Sequence, residues 1–231
     1  MPLIEPWPAL ASAGVGCALG FLGTGYALQV SAGTGLPGLG RSISAALRKP
    51  QLPAAGAGVS GVAAAIFGLQ FGWSVTSFVF AICTSMAMTL AVTDLRSHRL
   101  PYAIVAILYL VTGVPLIGVA IVTRDIGLIL KAVLSAAIAV MAFLILALAL
   151  PGQLGLGDVV LFGWVAFSLS WFGWRAIEVG VLAGLLGQII AGLVFRVWRG
   201  AGQKLPFGPA LLLGWFIGAS IAGTYLSKDS L

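Results

Sequence analysis

Residues 102–122 read YAIVAILYLVTGVPLIGVAIV, twenty-one positions without a charge; after Thr123-Arg124-Asp125 the chain continues IGLILKAVLSAAIAVMAFLILALAL over 126–150. A helix that crosses a bilayer needs about 20 mainly apolar residues. Both runs are therefore predicted to span, joined by a three-residue turn. Working outward, comparable runs lie at 9–30, 54–72 and 74–93 before them and at 159–173, 176–195 and 207–226 after them. The run at 159–173 is short, and Gly72-Trp73-Ser74 is the only break between 54 and 93. The expected fold class is all-α: a polytopic membrane helix bundle of about eight transmembrane helices, with residues 1–231 as one domain.

The composition agrees. Of 231 residues, 60% are hydrophobic and 8% charged, and the mean hydropathy is +1.11. A soluble domain carries about 25% charged residues. These figures exclude a disordered chain, a collagen, a coiled coil and a small disulfide scaffold. Cys17 and Cys83 lie far apart in apolar runs with no CxxC pair, which excludes a zinc ribbon and argues against a disulfide. With one histidine, a His-rich metal site is impossible; no metal and no cofactor is expected. The first ten residues hold Glu5 and no Lys or Arg, whereas a cleaved signal peptide has a basic start. The first apolar run is accordingly expected to stay as a span.

Twelve basic against six acidic residues give a net charge of +6. The basic residues fall in short gaps between apolar runs, which points to topology and anionic lipid headgroups rather than to nucleic acid. With eight spans, one side receives eight positive charges: Arg41, Arg48, Lys49, Arg96, Arg99, Arg196, Arg199 and Lys204. The other side receives Arg124, Lys131, Arg175 and Lys228. The first side is predicted to be cytoplasmic, with both termini outside, in a cell (inner or plasma) membrane. Residues 41–49, RSISAALRK, are expected to lie along that surface as a short amphipathic turn. Glycine pairs such as Gly16/Gly20, Gly180/Gly184 and Gly214/Gly218 are read as close helix packing. Trp73, Trp171, Trp174, Trp198 and Trp215 are read as an interfacial aromatic belt.

Carboxylates are the informative rarities, because a charge in hydrocarbon costs about 3 kcal/mol on insertion scales. Glu5 and Asp229 are terminal, and Asp125 and Glu178 have Arg124 and Arg175 close by in sequence. Asp94 and Asp158 differ. Asp94 closes the third run, ahead of Leu95-Arg96-Ser97-His98-Arg99-Leu100-Pro101; Asp158 closes Gly155-Leu156-Gly157-Asp158 and opens the sixth run. The charge count puts both on the cytoplasmic side. Two carboxylates on one face of a bundle are the minimum for acid–base hydrolysis, one activating water and one donating a proton. Held close, they titrate as a unit. Gly155 and Gly157 are expected to permit special backbone angles and close approach, and to set Asp158 at a helix start where it accepts free N–H groups. Pro101 is expected at the first position of the fourth helix. On the residues alone the pair is a candidate dyad, and capping at a membrane boundary accounts for each Asp equally well.

At these residues the chain resembles the type IV prepilin peptidases, membrane aspartic proteases of the GxGD kind. Asp94 followed six places on by Pro101, with Leu100 before it, matches that family's first motif; Gly155-Leu156-Gly157-Asp158 matches its second. Pro206-Phe207-Gly208-Pro209 matches the start of its last helix. The resemblance implies Asp94 and Asp158 as the catalytic pair, supported by Leu100, Pro101, Gly155, Gly157, Pro206, Gly208 and Pro209. It also implies prepilin-like precursors (type IV pilins, Tad pilins, pseudopilins) as partners, their basic leaders removed at the cytoplasmic face. The chain departs from the pattern at Tyr102, where the family often has a polar or acidic residue, and at Val160, where Lys is common. The loop over 31–53 holds no Cys, so the zinc-bearing N-methylation region of bifunctional members is not expected. His98 is read as a solvated loop residue. Two other readings stand beside this one. Pro209-Ala210-Leu211 fits a presenilin or signal-peptide-peptidase type of intramembrane protease, although Thr93 stands where that family has Tyr; an ion-coupled transporter would use the same two Asp residues as cation sites.

Overall fold

The computed structural model describes residues 6–30, 42, 47, 50–97, 100–149, 154–199 and 206–229. The surface turn expected over 41–49 lies outside them apart from Ser42 and Leu47, and so do His98, Arg99 and Lys204. Eight α-helices follow in order among the described residues: α1 (Trp7–Val30), α2 (Gln51–Phe71), α3 (Val75–Ser97), α4 (Tyr102–Val122), α5 (Ile126–Ala149), α6 (Leu156–Leu169), α7 (Trp174–Arg199) and α8 (Gly208–Asp229). One 3₁₀ turn, Ser170–Phe172, extends α6. Each helix begins within three residues of its apolar run, because the ends are set by charge, Gly and Pro rather than by packing. Six helices (α1 to α5 and α7) are long and apolar enough to cross a membrane. The chain is a multi-pass membrane protein built as a helical bundle.

The bundle is layered by burial. Large aliphatic side chains face outward on α4, α5 and α7, among them Ile107, Leu110, Ile138, Ile145, Ile189 and Leu193. Lipid is the only solvent that tolerates so continuous an apolar surface. Inside stands α6, whose residues 161–170 are all buried. With its 3₁₀ extension it has 17 residues, about 25 Å at 1.5 Å per residue. That falls short of the roughly 30 Å hydrocarbon thickness, so this central helix relies on its neighbours at its ends. The second inner helix is α3, the most buried of the six spans.

Helices α3 and α6 are held at a fixed separation by the two helices that touch both, α4 and α8. On α4, the Thr112 hydroxyl donates to the Leu108 carbonyl at 2.7 Å and accepts the Trp164 indole N–H of α6 at 3.1 Å; Cys83 Sγ of α3 lies 3.3 Å from the same oxygen. On α8, Trp215 stacks on Phe80 of α3, centroids 5.6 Å apart, and meets Trp164 at 5.0 Å. Its N–H donates to Ser168 Oγ of α6 at 2.9 Å. Trp215 is therefore a core residue and not part of an aromatic belt; Trp73 and Trp174 remain outward-facing. The burial of Trp215 follows from its donor finding a partner inside, which makes a large aromatic cheap to bury.

The glycine pairs do what was expected of them. Gly214 backs onto Gly180 and Gly184, and a Cβ at Gly218 would lie 2.7 Å from the Ala176 carbonyl, so α7 and α8 pack backbone to backbone. On the other flank Gly16 and Gly20 meet Ser60 and Ala64 of α2. Hydroxyls tie α1 to α3: Ser85 Oγ donates to the Gly16 carbonyl at 3.1 Å, and Ser12 Oγ and Ser77 Oγ are 3.0 Å apart. Both cysteines are free thiols.

Because one hydroxyl serves both inner helices, Thr112→Val is expected to destabilise the fold by about 1–3 kcal/mol, the cost of leaving buried partners unmet. Equilibrium unfolding in detergent checks this, with the exposed Thr123→Val expected to shift stability by less than about 0.5 kcal/mol.

Candidate active site

Helix α3 runs toward the site and ends there, while α4, α6 and α8 start there. Asp94 sits in the last turn of α3, only 4% exposed. A carboxylate so enclosed at a helix C-terminus needs a donor from elsewhere, since the local dipole is unfavourable to it. The donor is the Gly208 N–H, 2.9 Å from Asp94 Oδ2, at the first position of α8. The first N–H groups of a helix have no partner within it, and they favour an anion. Pro209, next in the chain, lacks an N–H and sits in the first turn, where none is required. Gly208 also leaves room for the carboxylate: a Cβ there would lie 2.8 Å from Asp94 Oδ2, so Asp94 would have to shift. The Pro-Phe-Gly-Pro stretch is thus a seat for Asp94.

Asp158 occupies the third position of α6 and reaches back to its start, Oδ2 accepting the Gly155 N–H at 3.1 Å. This is the reciprocal half of a capping box. It stands just ahead of the apolar run that opens at Val159, and its carboxyl is pushed up to about 6. Burial is the main cause, the negative charge of Asp94 adds to it, and the Gly155 N–H opposes it.

The two carboxylates share one cavity of about 280 Å³, lined also by Leu100, Tyr102, Gly155, Leu156 and Gly157. Gly157 makes this possible, since a Cβ there would come within 2.9 Å of Leu100 Cβ. Leu100 therefore packs directly against the start of α6. Pro101, in extended backbone (ψ 114°), caps α4, its carbonyl accepting the Ile104 N–H at 3.1 Å. It is the N-cap, one place before the position expected. Gly155 differs from expectation in its backbone alone, which at φ −86° and ψ 150° is ordinary. What constrains it is space, because a Cβ would lie 3.3 Å from Asp158 Oδ2.

The structure thus brings Asp94, Leu100, Gly155, Gly157 and Asp158 together, with Gly208 behind Asp94. Pro206 and Pro209 flank that seat without lining the cavity. Sequence reasoning did not foresee Leu156 in the wall, nor that Tyr102, 56% exposed, supplies the only polar side chain there besides the two acids among the described residues. Among the described residues no group of three His, Cys, Asp or Glu side chains is placed to hold a metal ion. No family model, curated protein or solved structure matches the chain.

The folded protein holds the Asp158 proton more tightly than an unfolded chain does. Stability is therefore full below the ordinary carboxylate pKa and declines as pH rises through about 6. Asp158→Asn, which keeps an acceptor for Gly155 N–H, is expected to raise the melting temperature at pH 7.5 and to leave it unchanged at pH 4. A separate expectation concerns Gly208→Ala: intrusion on Asp94 should lower any activity of the site at least tenfold with little loss of helix content by circular dichroism.

Proposed function

We propose that the protein is a membrane aspartic endopeptidase that removes the basic leader of prepilin-like precursors at the cytoplasmic face. The observation that carries this reading is the convergence of Asp94 and Asp158 on one cavity, seated by residues of the three motifs that resemble the type IV prepilin peptidases. In this reading Asp94, beside the positive end of α8, is the ionised base, and Asp158, whose burial favours its protonated form, is the acid. Water oxygen bonds to the scissile carbonyl carbon while its proton passes to Asp94. The Asp158 proton passes to the carbonyl oxygen, giving a neutral gem-diol. Collapse then breaks the C–N bond: the nitrogen leaves as an amine with the proton held by Asp94, and a diol proton returns to Asp158, leaving a carboxylic acid. The balance is one amide and one water in, one acid and one amine out.

The position of the carboxylates supports cutting beside the membrane rather than within it. Asp94 lies in the last turn of its helix and Asp158 in the first turn of its own. The positive-charge bias of the loops supports a cytoplasmic site with both termini outside, in the cell membrane.

Co-expression of a prepilin-like reporter with the wild type is expected to give mature product, detected as a mobility shift with mass-spectrometric mapping of the new N-terminus. Asp94→Ala and Asp158→Ala should each abolish it. Undiminished cutting by either variant ends the aspartic mechanism, and a new N-terminus inside the apolar span points to an intramembrane protease instead.

A further inference from the structure

A second cavity, larger than the one the carboxylates share, lies away from them. It is an open apolar groove of about 520 Å³ between α2, α3 and α8. Its α3 wall is Thr84, Ala87, Met88 and Ala91. These positions precede Asp94 by ten, seven, six and three residues, which places them along the helix face that ends at Asp94. Its α8 wall includes Pro209, Leu212 and Phe216, whose spacing continues from Gly208, the donor to Asp94. Both helices that seat Asp94 thus carry the groove toward it. The near end, at Ala91, lies about 4.5 Å of helix rise from Asp94, and the far end, at Thr84, about 15 Å. That is about half of the hydrocarbon thickness.

We infer that this groove docks the apolar helix of the substrate, immediately following the bond to be cut. The inference rests on the peptidase reading above and deepens it. A polypeptide in an apolar groove facing lipid must satisfy its own backbone, so the occupant is helical. The walls suit a helix more than loose acyl chains: Gly58, Ala63, Ala87 and Ala91 permit close backbone approach, and Met88 adapts its shape. The lipid-facing side of α7 has no such character, presenting Leu186, Ile189, Ile190, Leu193 and Val197. A helix seated beside Ala91 brings the chain one turn further out to the level of Asp94. Cleavage therefore falls within about a turn of the apolar segment, and the groove acts as a ruler for the cut.

The test uses the full-length protein in detergent with two substrates: a precursor with its apolar helix, and a soluble peptide holding the leader and scissile bond alone. Ala63→Phe, which fills the groove from α2, is expected to lower kcat/KM for the precursor at least tenfold and to leave peptide turnover within twofold. In a Cys17→Ala, Asp158→Asn background, Val62→Cys should form disulfide crosslinks to a cysteine in the first half of the precursor helix. The yield should exceed that of Ile189→Cys at least fivefold. Should Ala63→Phe lower both activities together, the crosslinks decide. Equal crosslinking at the two positions, or precursor cutting unaffected by Ala63→Phe, overturns the inference and leaves the groove to lipid with the peptidase intact. Failure of the wild type to cut either substrate overturns the peptidase reading, and the docking inference falls with it.

Discussion

The buried carboxylate of Asp94 is the constraint around which the rest of this bundle is arranged. An acid 4% exposed at the end of a transmembrane helix is tolerable only with a donor aimed at it. The Gly208 N–H fills that need, and it is available only because α8 begins there. The start of α8 must therefore be fixed in position relative to the end of α3, and much of the packing does that. Trp215 of α8 lies against Phe80 of α3 and Trp164 of α6, while Gly214 and Gly218 draw α7 onto the opposite side. A side chain on either of those glycines would push α8 away and draw the Gly208 N–H off Asp94.

The second carboxylate is held by different means. Asp158 caps the helix that carries it, so its orientation is local, but its closeness to Asp94 is not. Inner helices α3 and α6 are spaced by Thr112 on one side and Trp215 on the other, and Leu100 lies in the gap left by Gly157. The two acids consequently differ in character. Asp94 is enclosed and receives a donor from another helix; Asp158 is partly open, receives one from its own helix, and responds to the charge of its neighbour. Such inequality between paired acids is what acid–base division of labour requires.

Span positions, the break at Gly72-Trp73-Ser74 and both candidate acids were legible in the sequence, because hydropathy and charge in a bilayer act residue by residue. The misreadings share one physical cause. Trp215 was grouped with the interfacial tryptophans although it stands midway along the run 207–226, and its partner atoms on α6 show it to be a core residue. Gly155 was expected to need special backbone angles as well as close approach, yet its backbone is ordinary and only the nearness of a carboxylate three residues on bears on it. Pro206-Phe207-Gly208-Pro209 was legible as a motif but not as a seat, since the atom it serves is 114 residues earlier.

By itself, then, the sequence determined that this is a multi-pass helical bundle, where its helices begin, and which two acids are worth attention. Each of those properties belongs to a single segment and its solvent. Tertiary structure alone decided that Asp94 and Asp158 face one cavity, that Gly208 supplies the N–H that makes a buried Asp94 tolerable, and that a groove on α3 and α8 leads toward it. Those are relations between helices distant in the chain, set by which side chains interlock, and no local pattern encodes them.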